Sequence, residues 1–160
     1  MHKQLYLILH DIRSAYNVGA IFRTADGAGV SKIFITGYTP IPAQQGKMYL
    51  TQAEKMIAKT ALGAENMIPW EQSESLNEVL KKLKKENISI VALEKTAQAI
   101  DINSFKSSSQ IALIVGNEVD GVAKETLDQC DAVVSIAMRG KKESLNVSVA
   151  AGIAMYKLLD

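Results

Sequence analysis

Apolar residues in this chain fall in short unbroken runs, separated by stretches with helical spacing. The first run covers residues 4–10, where Leu5, Tyr6, Leu7, Ile8 and Leu9 follow one another. An unbroken run of this length suits a strand buried on both faces, as in a parallel sheet. After a polar loop over residues 11–16, the spacing changes. Val18, Ile21, Phe22, Ala25 and Ala28 share one helical face, Asn17 is suited to cap the helix, and Gly29 stands where a glycine ends one. Ile33, Phe34 and Ile35 centre a second strand over residues 32–37, and Pro40 and Pro42 mark the loop that follows. A helix over residues 51–62 breaks at Gly63, and residues 66–70 predict a short third strand. Residues 73–86 form the clearest amphipathic pattern, with Leu76, Val79, Leu80 and Leu83 inward and lysines outward. Runs at 88–93, 111–115 and 132–136 complete the strands, with a short helix over 123–129 joining the last two. Strands alternating with helices predict an α/β fold with a parallel sheet of about six strands.

The last segment behaves differently. Residues 143–146 are mostly small or polar, and from Val147 to Tyr156 the chain is apolar on nearly every side. A helix apolar all round must be enclosed by protein, so this spacing predicts a central buried helix. Ser144 is placed to cap it, leaving the first free N–H groups to face a polar ligand.

Composition narrows the class of protein. The 160 residues are 48% hydrophobic and 22% charged, the balance of one globular domain with a substantial core. No stretch reaches the roughly 18 consecutive apolar residues of a membrane helix. The start, Met-His-Lys-Gln, leads directly into a strand pattern with no signal peptide, so a cytoplasmic location without a membrane partner is expected. A net charge of +1 neither requires nor forbids a nucleic-acid partner. The single cysteine, Cys130, excludes an internal disulfide, cannot alone hold a metal, and reads as an inert small hydrophobe. No repeat or linker divides residues 1–160, which are expected to be one domain with no appended RNA-binding domain. The basic runs, residues 81–85 and 139–142, do not reveal a target; the first suits a solvated helix face.

Three polar clusters fall at or just after strand ends, where open α/β sheets bind ligands. The first is Asn17-x-Gly19-x-x-x-Arg23. The second is Gly116-Asn117-Glu118-x-x-Gly121, which is neither a Walker loop nor GxGxxG. The third is Met138-x-Gly140 followed by Ser144-Leu145-Asn146-Val147-Ser148. Taken singly, each suits an ordinary turn or cap, and Arg23 suits either a solvated surface position or a fork onto phosphate. In this order and spacing they resemble the three motifs of the TrmH (SpoU) family, the RNA ribose 2′-O-methyltransferases of the SPOUT superfamily.

That resemblance, spanning residues 10–156, implies a C-terminal deep trefoil knot, S-adenosylmethionine as methyl donor with no metal, a tRNA or rRNA substrate, and a homodimer with active sites beside its interface. It makes Arg23 the catalytic arginine, with Asn17 shaping the same pocket, and Glu118, Ser144 and Asn146 the polar groups around methyl transfer. Gly116, Ile136, Met138, Ser144 and Leu145, with Leu93 at the end of the fourth strand, match cofactor-holding positions. A guanidinium stays protonated in proteins, so Arg23 is expected to clamp phosphate and stabilise the forming alkoxide; a phosphate-assisted arginine base is the family alternative. Glu118 suits an organiser better than a base. Many relatives carry Asp-Pro at Ser14–Ala15, glycine at Val119 and proline at Ala137. A catalytically inactive knotted protein that binds or assembles RNA is the competing expectation.

Overall fold

The computed structural model describes residues 3–160. Met1 and His2, the start of the stretch expected to lack a signal peptide, lie outside the described residues. The strands are β1 (Gln4–His10), β2 (Lys32–Thr36), β3 (Trp70–Ser73), β4 (Ser89–Leu93), β5 (Ile100–Asp101), β6 (Gln110–Val115) and β7 (Ala132–Ser135). The helices are α1 (Ala15–Ala28), α2 (Gln52–Ala61), α3 (Leu76–Lys85), α4 (Lys124–Leu127) and α5 (Val147–Leu159). Among the described residues the strands form one sheet in the order β3-β2-β1-β6-β4-β7-β5, with every recorded pairing parallel.

The unbroken apolar runs are explained by burial on both sides. Leu5, Leu7 and Leu9 of β1 and Leu113 and Val115 of β6 join the core under α1, α2 and α5. Their neighbours Ile8, Ala112 and Ile114 join a second core with Leu76, Val79, Leu80 and Leu83 of α3. Register places Ile8 level with Phe34 on one side and Ile114 on the other, so one layer of side chains runs across the sheet. No helix among the described residues is long and apolar enough to cross a membrane.

Five expectations are corrected. The sheet has seven strands rather than about six. Ile100–Asp101 pairs with Val134 and Ser135, but its two residues are exposed and too few to leave a hydrophobic signature. The third strand is Trp70–Ser73, not 66–70; α2 ends at Leu62 with a φ of 52°, Gly63 follows at 92° and leads into a 3-10 turn over Ala64–Asn66, and Ile68 enters the core from the loop. As an edge strand pairing only with β2, Trp70–Ser73 carries polar residues that hide it from a hydrophobicity pattern.

The first helix begins earlier, because Ser14 rather than Asn17 is its N-cap, its hydroxyl accepting the Asn17 N–H at 3.2 Å. Ser14 thus fills the capping role open to an aspartate there. The last helix is capped by Asn146, not Ser144. Nor is it enclosed: Ala151, Ala154, Met155 and Leu158 are buried, while Val149, Ile153 and Tyr156 are 50%, 38% and 52% exposed. The helix packs along one side against α1, β1 and β6, and the other side is left open.

Candidate active site

Every strand ends at the same edge, and the loops after β4, β6 and β7 meet there around a cavity of about 340 Å³, within the size range of small-molecule sites. Leu93 closes one side. Gly116 and Glu118 form a second, while Ile136, Met138, Ser144 and Leu145 form a third, with Asn146 and Val147 at the start of α5. Every residue matched to cofactor holding therefore lines one cavity, together with Glu118 and Asn146. Val119 needs no glycine, since its φ is not among the positive ones.

The Gly-Asn-Glu-x-x-Gly spacing has a local cause. Asn117 and Gly121 form an antiparallel bridge, and the Gly121 N–H donates to the Asn117 carbonyl at 3.0 Å. A Cβ on Gly116 would meet the Gly121 carbonyl oxygen at 2.7 Å, so the turn closes only without one. Gly121 has a φ of 67°, and a Cβ there would strike the Glu94 carboxylate. Asn117, 7% exposed, is the loop's internal anchor. Its Oδ1 accepts the N–H groups of Val119 and Asp120, both at 2.8 Å, and its Nδ2 donates to the Asp11 carbonyl at 3.0 Å and to the Tyr38 hydroxyl at 2.8 Å.

Glu118 faces outward from this turn and accepts the N–H of Arg13 at 2.9 Å and of Ser14 at 3.1 Å, and the Asn17 amide at 3.2 Å. Partial burial pushes its carboxyl up, but the N–H groups of Arg13, Ser14 and Glu118 itself, with the Asn17 amide, outweigh this and hold it below the ordinary glutamate value. A carboxylate so engaged is an anchor at neutral pH rather than a ready base. Asn146 caps α5, its Oδ1 accepting from the Ser148 N–H at 2.9 Å and hydroxyl at 2.6 Å, and its Nδ2 donates to Asn17 Oδ1 at 3.3 Å. Asn146, Asn17 and Glu118 thus form one chain of hydrogen bonds across all three clusters.

Arg23 stands apart. It is exposed on α1 and does not line the cavity, and it makes no side-chain hydrogen bond or ion pair among the described residues. Its neighbour Thr24 packs on Gly152 of α5, beside the open stripe of that helix. Ser144 likewise makes no hydrogen bond among the described residues, which leaves its hydroxyl free on the cavity wall.

Two site residues escaped the sequence reasoning. Glu94 accepts the Val122 N–H at 2.8 Å and the Lys95 N–H at 2.9 Å, bracing the Gly116–Gly121 turn from the next strand. A carboxylate at a strand's carboxyl end was the available signal. Asn117 lay inside a recognised cluster, yet only its burial reveals it as the anchor. Cys130 is half-buried, donates to the Thr126 carbonyl at 3.3 Å, and has its thiol pushed up to about 11 chiefly by burial, so it is not a nucleophile at neutral pH. Among the described residues no group of three or more His, Cys, Asp or Glu is placed to hold a metal.

The chain is similar to known proteins in sequence and in fold. The chain is 33% identical over 153 residues to the 23S rRNA (guanosine-2'-O-)-methyltransferase RlmB of Escherichia coli (strain K12), covering 94% of this chain and 58% of that protein. It is 32% identical over 153 residues to the RlmB of Xylella fastidiosa (strain 9a5c), covering 96% of this chain and 57% of that one. It therefore spans little more than half the length of these curated relatives. The crystal structure of an AdoMet-bound rRNA methyltransferase from Sinorhizobium meliloti superposes with a TM-score of 0.83 at 25% identity, over 99% of this chain and 56% of that one. Residues 4–156 match the SpoU rRNA Methylase family, and the chain belongs to that family.

Proposed function

We propose that this chain transfers a methyl group from S-adenosylmethionine to a ribose 2′-hydroxyl of tRNA or rRNA. One observation carries the proposal: two clusters far apart in sequence line a single cavity, and the first is joined to both through Asn17, which bonds to Glu118 and Asn146. The cavity suits the donor, since Leu93, Ile136, Met138 and Leu145 offer apolar walls and Gly116 lets backbone approach closely. Bound there, S-adenosylmethionine supplies an electrophilic methyl group; no metal takes part.

The protein's own share is alignment and charge. Asn17 and Asn146 hold the start of α5 against the Glu118 turn, and Ser144 presents its hydroxyl to the incoming ribose. Arg23, free of internal partners, clamps an RNA phosphate and stabilises the alkoxide that forms as the hydroxyl gives its proton to solvent water.

Residues 1–160 act as one SPOUT domain in the cytoplasm, with the C-terminal segment threaded as a deep trefoil knot. The sheet order supports the knot, since β6 lies between β1 and β4, and β7 between β4 and β5. The chain works as a homodimer. The open apolar stripe of α5 needs a cover, and a second copy packed there brings each Arg23 beside the interface. Sedimentation at micromolar concentration should give twice 17.4 kDa; a single species at 17.4 kDa would sink the dimer.

The activity is tested by calorimetry with S-adenosylmethionine and by single-turnover methylation of rRNA and tRNA from a strain lacking the gene. Absence of cofactor binding would overturn the proposal. Binding without turnover on either RNA would favour the inactive RNA-binding alternative. Arg23→Ala should lower turnover about 10²- to 10³-fold with cofactor affinity unchanged, by analogy with loss of one oxyanion donor. Arg23→Lys should rescue little, because an ammonium lacks the bidentate fork. A near-normal rate in Arg23→Ala would move the chemistry to Glu118, Ser144 and Asn146.

A further inference from the structure

Beside the cavity, one aromatic side chain is fixed in place while most of it faces solvent. Tyr38 follows β2 and is 61% exposed. Isolated exposed aromatics are ordinary on protein surfaces, and exposure alone implies nothing. Tyr38 differs in being tethered at both ends. Its N–H donates to Asp11 Oδ1 at 3.1 Å, and its hydroxyl accepts the Asn117 amide at 2.8 Å. Asp11 is itself fixed, with a φ of 54°, its carbonyl oxygen on the same Asn117 amide and its other carboxylate oxygen 3.3 Å from His10 Nε2. With its N–H donated and its hydroxyl oxygen accepting from Asn117, the Tyr38 ring is held in place while most of the side chain stays exposed.

The position of the ring gives that rigidity a use. Asn117 is the buried anchor of the turn that carries Glu118, so the ring is coupled directly to the cavity wall. Two residues beyond Asp11, the exposed Arg13 has no ion-pair partner among the described residues. An ordered aromatic face, with an exposed cation two residues along from the Asp11 that holds it, offers the two groups by which proteins hold unstacked nucleotides: the ring takes a base face and the cation a phosphate. Because the ring is already ordered, little rotamer entropy is lost when a base lands on it.

We infer that Tyr38 is a stacking platform for an unpaired base of the RNA substrate, a positioning residue that brings a ribose to the cavity. The inference rests on the methyltransferase reading and adds to it the element that recognises the substrate's bases. Stacking is indifferent to base identity, so Tyr38 fixes where a nucleotide sits without deciding which nucleotide is chosen.

The experiment compares wild type, Tyr38→Phe and Tyr38→Ala by three readouts. These are calorimetry with S-adenosylmethionine, methylation kinetics on rRNA and tRNA from a strain lacking the gene, and fluorescence of a short single-stranded RNA containing 2-aminopurine. Tyr38→Ala should lower kcat/KM for RNA by about 5- to 150-fold, the worth of one stacked base, mainly through KM. Cofactor affinity should stay within about twofold, the scale of an unperturbed site. The 2-aminopurine emission should be quenched by wild type and by Tyr38→Phe, which keeps the ring, and not by Tyr38→Ala. Unchanged RNA kinetics and quenching in Tyr38→Ala would overturn the inference. So would a loss of cofactor affinity matching the loss on RNA, which would make the ring only a brace for the Asn117 turn. Failure of the methyltransferase reading shows separately, as absence of cofactor binding in wild type.

Discussion

The loop after β6 and the loop after β7 wall the same cavity but are held in different ways. In the first, Asn117 and Glu118 between them bond to four N–H groups, a carbonyl, a hydroxyl and a side-chain amide, and Glu94 braces the turn from outside. In the second, residues 138–145 are mostly exposed, and no hydrogen bond ties them to the rest of the described chain until Asn146 caps α5. The first wall is therefore a preformed scaffold whose side chains are spent on one another. The second presents its side chains to whatever enters. Rigidity and contact are divided between the two, so substitutions should affect stability on one side and affinity on the other.

The strongest test of that division is Asn117→Ala. It removes four hydrogen bonds at a buried position and strands the N–H groups of Val119 and Asp120. Unfolding free energy should fall by on the order of 3 kcal/mol, with methylation lost alongside. Urea denaturation showing less than about 1 kcal/mol would mean that the turn is held elsewhere.

Leu145→Ala addresses the other wall. Leu145 is already 37% exposed, so stability should change by no more than about 0.5 kcal/mol. S-adenosylmethionine affinity should drop about tenfold, since the contact forms only with ligand present. A large stability loss with normal affinity would invert the comparison.

The smallest effect is a pH dependence from Glu118. Its folded-state pKa is depressed, so its stabilising contribution is complete above the unfolded value of about 4.3 and fades as pH falls through the folded value. Glu118→Gln should therefore be less stable than wild type at neutral pH, and the gap should close in acid. The site is partly solvated, which keeps this below about 1 kcal/mol. Thermal melts showing a gap that widens on acidification would contradict the assigned sign.

The sequence by itself determined what repeats locally. Residues 5–9, 33–35, 90–92 and 111–115 are apolar without interruption because the strands they form are covered on both faces, so a parallel sheet was legible. Glycines at 116 and 121 and the polar cluster at 144–148 carried the family likeness and pointed to the cavity edge. Tertiary structure decided what depends on partners distant in the chain. The sequence pattern pointed to Asn17 as the cap of α1; in the fold Ser14 takes that role, and the Asn17 side chain is held between Glu118 and Asn146. Strand β5 exists only because β7 offers an edge, and β3 carries polar residues because nothing pairs beyond it. The uniform apolarity of α5 predicted enclosure, yet the fold buries only Ala151, Ala154, Met155 and Leu158 and leaves Val149, Ile153 and Tyr156 exposed, since hydrophobicity along a helix does not say which neighbours the fold supplies.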